Sequence, residues 1–156
     1  MTQEESQLLS SIHNEIPISQ EMGINDLRLS KEGLILAAEL APNRNHRGTA
    51  FGGSLNSIML LAGWAWLHHW LGQEKVAAHV VVRDCTTRFY SAVSQNFRVE
   101  VEPPSVESEA RFLRTLQRRG LAQIPLLVRI FGEKRVAVVM KAQFAAVRDF
   151  REATKG

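Results

Sequence analysis

Apolar and polar positions along this chain change period several times, and each change marks an element. Leu8, Leu9 and Ile12 stand at helical spacing within residues 2–15, behind an acidic first turn suited to the positive end of a helix dipole. A short amphipathic helix is predicted there. Residues 23–29 and 34–40 read as two strands joined by SKEG, whose Gly33 can supply the positive φ of a tight turn. Residues 41–53, APNRNHRGTAFGG, carry turn formers and neither period, which predicts a loop. Residues 54–71, SLNSIMLLAGWAWLHHWL, are apolar on nearly every side, predicting a helix buried almost all round and ended by Gly72 as a left-handed cap. Residues 76–90 and 96–101 are rich in β-formers, and EPPS ends their pairing because proline carries no N–H. Residues 105–119 read as a basic amphipathic helix, with Ala110, Leu113 and Leu116 on one side, or as a long excursion. Residues 121–131 and 135–147 then form two long strands joined by the turn GEK.

The order is α-ββ-α-ββ-(α)-ββ, with the third helix the alternative to an excursion. One helix that is apolar all round can be hidden beside six strands only if the sheet curls about it, so the expected class is α+β, a curled antiparallel sheet wrapped around a long central helix. A sheet of this kind leaves edges, and pairing with a second copy is the expected solution, as a homodimer or a dimer of dimers.

The 156 residues suit one domain, 1–156, with 45% hydrophobic and 22% charged residues, values close to ordinary globular usage. The longest apolar run, residues 58–67, falls short of the roughly 20 needed to cross a bilayer, so no membrane insertion is expected. The acidic, polar N-terminus lacks the features of a secretory signal, which predicts a cytoplasmic protein. One cysteine, Cys85, reads as a small buried hydrophobe rather than a nucleophile, and the five histidines show no zinc spacing. No metal and no cofactor are expected. Trp64, Trp66 and Trp70 read as core and interface packing, and His68 and His69 suit the helix C-terminus. The net charge of +3 hides an asymmetry: residues 1–82 carry 5 basic and 8 acidic side chains, residues 83–156 carry 14 and 8. A basic second half suits an acidic partner. Nucleic acid is discounted for want of a binding motif.

Chemistry concentrates where the loop ends in Gly52 and Gly53 at the start of the apolar helix. The first amides of a helix lack internal acceptors and lie at the positive end of its dipole, so Gly53 and Ser54 can polarise a carbonyl as an oxyanion site does. The alternative is a tight turn into the helix with Ser54 as an ordinary N-cap.

Asn45, Gly48, Gly52 and Gly53 match the N-x-x-G-x-x-(H)-G-G pattern that opens the central helix of hotdog-fold acyl-thioester enzymes, with Phe51 in place of the usual histidine. The stretch NRNHRGTAFGGSLNSIMLLAGWAWL resembles the hotdog family labelled "putative thioesterase", whose members include malonyl-acyl carrier protein decarboxylases. The resemblance implies a hotdog fold, a dimeric site, a thioester carried on phosphopantetheine, and a place in fatty acid synthesis. Between Leu40 and Gln73 there is no carboxylate, whereas hydrolysis needs a group to activate water. Asp84, or a group from a second subunit, is the remaining candidate base; Asp84 reads alternatively as a structural or exposed strand residue. Decarboxylation of a malonyl thioester needs no activated water, only donors for the enolate that forms.

The resemblance to the decarboxylase branch points to Asn45 as catalytic, with Gly53 and Ser54 supporting; Asn45 reads alternatively as a residue that holds its turn. Arg44, His46 and Arg47 are candidates for the carrier's phosphates, or solvated loop charges. Phe51 and Gly52 border the same place, and in related hotdog proteins the region of Arg88 and Tyr90 lines the acyl pocket. Arg111, Arg114 and Arg118 share a helical face suited to docking an acidic carrier protein, or merely a solvated one. The readings carried forward are malonyl-acyl carrier protein decarboxylase, thioesterase acting on acyl-carrier or coenzyme A thioesters, and a non-catalytic carrier-binding module.

Overall fold

The computed structural model describes residues 1–132 and 135–148. Helix α1 (Gln3–Glu15) starts on Thr2, whose hydroxyl accepts from the Glu5 amide while the Glu5 carboxylate accepts from the Thr2 amide, a reciprocal cap that satisfies two otherwise unpaired donors. Glu5 is buried, and it also accepts from the Leu29 amide at 2.9 Å and lies 3.6 Å from the Arg28 guanidinium. It thereby ties α1 to strand β1 (Ile24–Ser30). The Leu29 amide above all, then the Thr2 amide, hold its carboxyl below the usual carboxylate range. A short helix α2 (Ile18–Glu21) after Pro17 and a 3-10 turn at Ala41–Asn43 are additions to the predicted order.

Strand β2 (Gly33–Ala38) follows the SKEG turn, and Gly33 has φ +123° as expected. A Cβ there would also sit 1.9 Å from the Val101 carbonyl oxygen, so glycine is required for space as well as for conformation. Helix α3 (Gly52–Gln73) precedes β3 (Ala78–Phe89), β4 (Phe97–Glu102), α4 (Val106–Arg119), β5 (Leu121–Phe131) and β6 (Val136–Arg148). All strand pairs are antiparallel, in the order β1-β2-β4-β5-β6-β3. The sheet curls about α3, which touches β2 to β6, and the expected α+β hotdog class is the one adopted. The GEK turn between β5 and β6 falls largely outside the described residues.

Gly63 lets α3 approach the sheet. A Cβ at that position would lie 2.7 Å from the ring of the buried Phe144 on β6. Trp66 is buried and stacks on Trp70 at 5.6 Å between centroids, and Trp70 meets Phe112 of α4 at 5.8 Å. The helix is not buried all round, however. Gly53 and Ser57 are exposed, while Leu60, Trp64 and His68 are half-buried, so one stripe along α3 lacks a full cover among the described residues. Trp64 and His68 stack within it at 4.9 Å.

Both ends of α3 differ from expectation. The Leu55 amide already bonds the Phe51 carbonyl at 3.0 Å, so Phe51 is the N-cap, the two glycines are helical, and Ser54 is third in the helix rather than its cap. At the other end Gly72 stays within the helix, and the left-handed residue is Lys75 with φ 55°.

Strand β3 is an edge of the sheet, paired with β6 on one side only. Along it Val81, Val82 and Phe89 are exposed. Cys85 is exposed too, contrary to the buried position expected of it, because its strand carries no further neighbour.

Candidate active site

The loop that leads into α3 is shaped by two asparagines. Asn43, 2% exposed, donates from Nδ2 to the carbonyls of Met22 and Glu39, both at 2.7 Å, and its own carbonyl accepts from the Phe51 amide at 2.7 Å. Asn45, half-buried, accepts on Oδ1 from the amides of Arg47 at 2.8 Å and Thr49 at 3.2 Å. Its Nδ2 donates to Thr49 Oγ1 at 3.0 Å. Both acceptor positions of this amide and one of its two donors are therefore used within the loop, leaving one N–H for a ligand. Gly48, at the tip, has φ 79° and open space around it.

Phe51 caps α3 through its backbone only, with no side-chain hydrogen bond to the first turn. The amides of Gly52, Gly53 and Ser54 precede the first intrahelical bond, at Leu55, and are left as donors at the positive end of a 22-residue helix. Aromatic rings collect around this end. A Cβ on Gly53 would lie 2.4 Å from the Phe51 ring, and one on Gly52 would lie 3.5 Å from the Phe89 ring. Phe51, Phe89 and Tyr90 are 57%, 53% and 61% exposed. Three half-uncovered aromatics beside unpaired donors form a place that sheds water once a ligand or second copy covers it.

A cavity of about 330 Å³ opens here, lined by Ala50, Gly52, Leu55, Phe89, Tyr90 and the segment Ser91 to Val93. None of its lining residues is a carboxylate. A second cavity, about 340 Å³ and almost wholly apolar, runs along the uncovered stripe of α3 past Ser57, Leu60 and Trp64, between α2 and β3. Ser57 begins one turn beyond Gly53, to whose carbonyl its hydroxyl donates at 2.9 Å.

The expected residues fall into three groups. Asn45, Phe51, Gly52, Gly53 and Ser54 lie on the loop and first turn of α3, with Tyr90 at the wall. Arg44, His46 and Arg47 are exposed on the same loop and line neither of these two cavities. Arg111, Arg114 and Arg118 are exposed on α4, which packs at the far end of α3 through Phe112 and Trp70. Along β3, Thr87 bonds Asn56 of α3 and Phe89 meets Gly52, so these two face the helix. Asp84, Thr86 and Arg88 alternate with them and face outward. Asp84 lies there beside Lys141 and Gln143, on the opposite side of the sheet from the helix. The residues missed by sequence reasoning are Asn43, Phe89 and the Asn56–Thr87 pair. Phe89 was legible as the partner of Thr87 in strand alternation, whereas Asn43 looked like any turn residue.

The family model described as "Putative thioesterase (yiiD_Cterm)" matches residues 5–148. Among solved structures, a protein of unknown function from Chlorobaculum tepidum is similar at 28% identity with a TM-score of 0.87, covering 93% of this chain and 94% of that one. A "putative thioesterase" from Shewanella oneidensis is similar at 27% identity and TM-score 0.81, covering 92% and 96%. A "probable thioesterase" from Pseudomonas aeruginosa shares the fold at 20% identity and TM-score 0.78, covering 92% and 95%.

Proposed function

The chain belongs to the family described as "Putative thioesterase (yiiD_Cterm)", which implies thioester substrates, and from that premise we propose that it decarboxylates a malonyl thioester held on the phosphopantetheine arm of an acyl carrier protein. The observation that carries this reading is an uncapped helix N-terminus, rimmed by aromatics, with no carboxylate in the adjoining cavity or anywhere along α3. Such a site can stabilise an anion and has no carboxylate of its own to activate water.

In the proposed reaction the bond between the malonyl carboxylate carbon and the methylene breaks. Carbon dioxide leaves, and the electron pair passes into the thioester enolate. The amides of Gly53 and Ser54 donate to its oxygen. The free Nδ2–H of Asn45, on a side chain already fixed by Arg47 and Thr49, holds the carboxylate so that the breaking C–C bond stands perpendicular to the thioester plane. Protonation of the methylene carbon by solvent gives the acetyl thioester. The reaction uses no resident cofactor, because phosphopantetheine arrives with the substrate. Fatty acid synthesis is the context in which acetyl carrier is consumed.

A homodimer through the β3 edge completes this reading. Two copies paired about a two-fold axis set their β3 strands antiparallel and cover Val81, Val82 and Phe89. Helix α3 is about 33 Å long, and α4 packs at its far end. An extended arm the length of five or six residues, roughly 18–20 Å, is too short to join the two ends of α3 within one copy. The antiparallel arrangement turns the second copy end for end, so a carrier docked on Arg111, Arg114 and Arg118 of one copy serves the helix N-terminus of the other.

Thioester hydrolysis is the second reading, favoured by the apolar cavity of about 340 Å³ along α3, which suits a hydrocarbon chain better than a malonyl carboxylate. Asp84 faces away from the helix, so this reading requires a base from the second copy. Conversion of malonyl carrier to acetyl carrier, with no free thiol released, is the test; free thiol in place of acetyl carrier overturns the decarboxylase reading.

A further inference from the structure

The outward face of β3 and β6 carries two cations that no ion-pair partner engages among the described residues. Lys141 pairs in register with Thr86, and Arg88 with Val139. Lys141 and Arg88 are thus diagonal neighbours on one face, with Cβ atoms about 7–8 Å apart, a separation that two long side chains can close onto one small anion. Both are exposed, and neither is in an ion pair among the described residues. By contrast Arg129, on the adjacent strand, is engaged by Glu102. Asp84 is the other diagonal neighbour of Lys141, on the side away from Arg88; with Arg83, Arg88 and Lys141 around it the patch stays net positive.

Position links this patch to the helix N-terminus. Arg88, Lys141, Thr86, Val139 and Tyr90 line a cavity of about 380 Å³. Tyr90 is also a wall of the cavity of about 330 Å³ at Gly52. The two cavities share this one lining residue, just past the end of β3, where the Tyr90 amide still donates to the Ala137 carbonyl of β6. A chain leaving the helix N-terminus can pass over Tyr90 to the cationic patch, and an arm of roughly 18–20 Å is long enough to do so. Edge pairing through β3 uses backbone groups and leaves outward side chains such as Arg88 accessible.

Resting on the thioester reading above, we propose that Arg88 and Lys141 form the phosphate subsite of the carrier arm, with Tyr90 as the threshold between phosphate and thioester. This gives Arg88 and Tyr90 a place at the outer end of the arm rather than in an acyl wall, and adds Lys141, which sequence reasoning did not single out. Two cations on one phosphate favour it by charge-assisted hydrogen bonds, which weaken as salt is added.

The test is calorimetric binding of two ligands that differ by one phosphate, phosphopantetheine and pantetheine, each carrying a stable thioether in place of the thioester. The unaltered protein is expected to bind the phosphorylated ligand about tenfold more tightly at low salt. In Lys141→Ala and Arg88→Ala that ratio falls toward one, and Lys141→Arg restores it. Reading the ratio within each variant cancels any general loss of binding, and circular dichroism of each variant verifies its fold. Equal affinity for the two ligands in the unaltered protein, or a ratio that survives both substitutions, overturns the proposal. Coenzyme A serves as a third ligand: a further gain over phosphopantetheine that is lost in the same variants assigns the subsite to the nucleotide-linked diphosphate and overturns the assignment to a carrier protein's arm. Preferred binding of the phosphorylated ligand by a protein that leaves malonyl carrier unchanged refutes the decarboxylase reading and supports the subsite.

Discussion

Substituting alanine at Gly53 places a methyl group 2.4 Å from one carbon of the Phe51 ring and 3.0–3.1 Å from two others. The ring must move, and it can, because Phe51 is 57% exposed. The backbone has no objection, since Gly53 is helical and has no positive φ. Alanine gains up to about 1 kcal/mol over glycine inside a helix, and less in a first turn. Stability is therefore expected to change by less than about 1 kcal/mol. Under the proposed mechanism turnover responds differently, because the methyl group and the displaced ring both intrude where the Gly53 and Ser54 amides would meet the substrate oxygen. Loss of one such donor costs about a hundredfold in rate, equivalent to roughly 2.7 kcal/mol. The assays are urea unfolding at fixed protein concentration, since association contributes to apparent stability, and kcat/KM for malonyl carrier. A Gly53→Ala protein that folds normally and keeps its full kcat/KM removes the helix N-terminus from the mechanism.

Four further outcomes are expected. Asn45→Asp keeps both acceptors for the Arg47 and Thr49 amides and removes the donors of Nδ2, so turnover should fall while stability stays within about 1 kcal/mol; unchanged turnover confines Asn45 to holding its loop. Trp66→Ala should cost about 3–5 kcal/mol because Trp66 is buried, and Trp64→Ala less because Trp64 is half-buried; equal urea midpoints for the two variants contradict this placement. Glu5 has a lowered carboxyl in the folded state, so its stabilisation is present above the ordinary carboxylate range and lost as pH falls through the folded value; Glu5→Gln should therefore be less stable than the native protein at pH 7, with the gap narrowing in acid. Charge reversal at Arg114 and Arg118 should weaken carrier binding more at low salt than at high salt, and a salt-independent effect argues against docking on α4.

The order of elements was legible because periods of two and 3.6 alternate cleanly along the chain, and the helix that most determines the architecture is also its most apolar stretch. The ends of that helix were not. Glycines at 52, 53 and 72 read as turn formers, but glycine fits helical dihedrals as well as any other, and hydrogen bonds to Phe51 and near Lys75 decided the limits. Exposure along β3 was likewise hidden. Residues 76–90 have the composition of a central strand, and only the pairing order, which places β3 at an edge, leaves Val81, Val82 and Cys85 uncovered. The loop residues were recognisable by motif, yet the distinct tasks of Asn43 and Asn45 depend on carbonyls and amides brought from Met22, Glu39 and Thr49 by the fold. The outward direction of Asp84 follows from a register shift between Val82 and Asp84, an irregularity that strict alternation does not foresee.

The chemistry itself is tested most directly by incubating the purified protein with malonyl-acyl carrier protein and resolving malonyl, acetyl and free-thiol carrier in one mass spectrum. Decarboxylation at the N-terminus of α3 predicts acetyl carrier accumulating as malonyl carrier declines. Free-thiol carrier in its place, or a malonyl peak that does not decline, contradicts it.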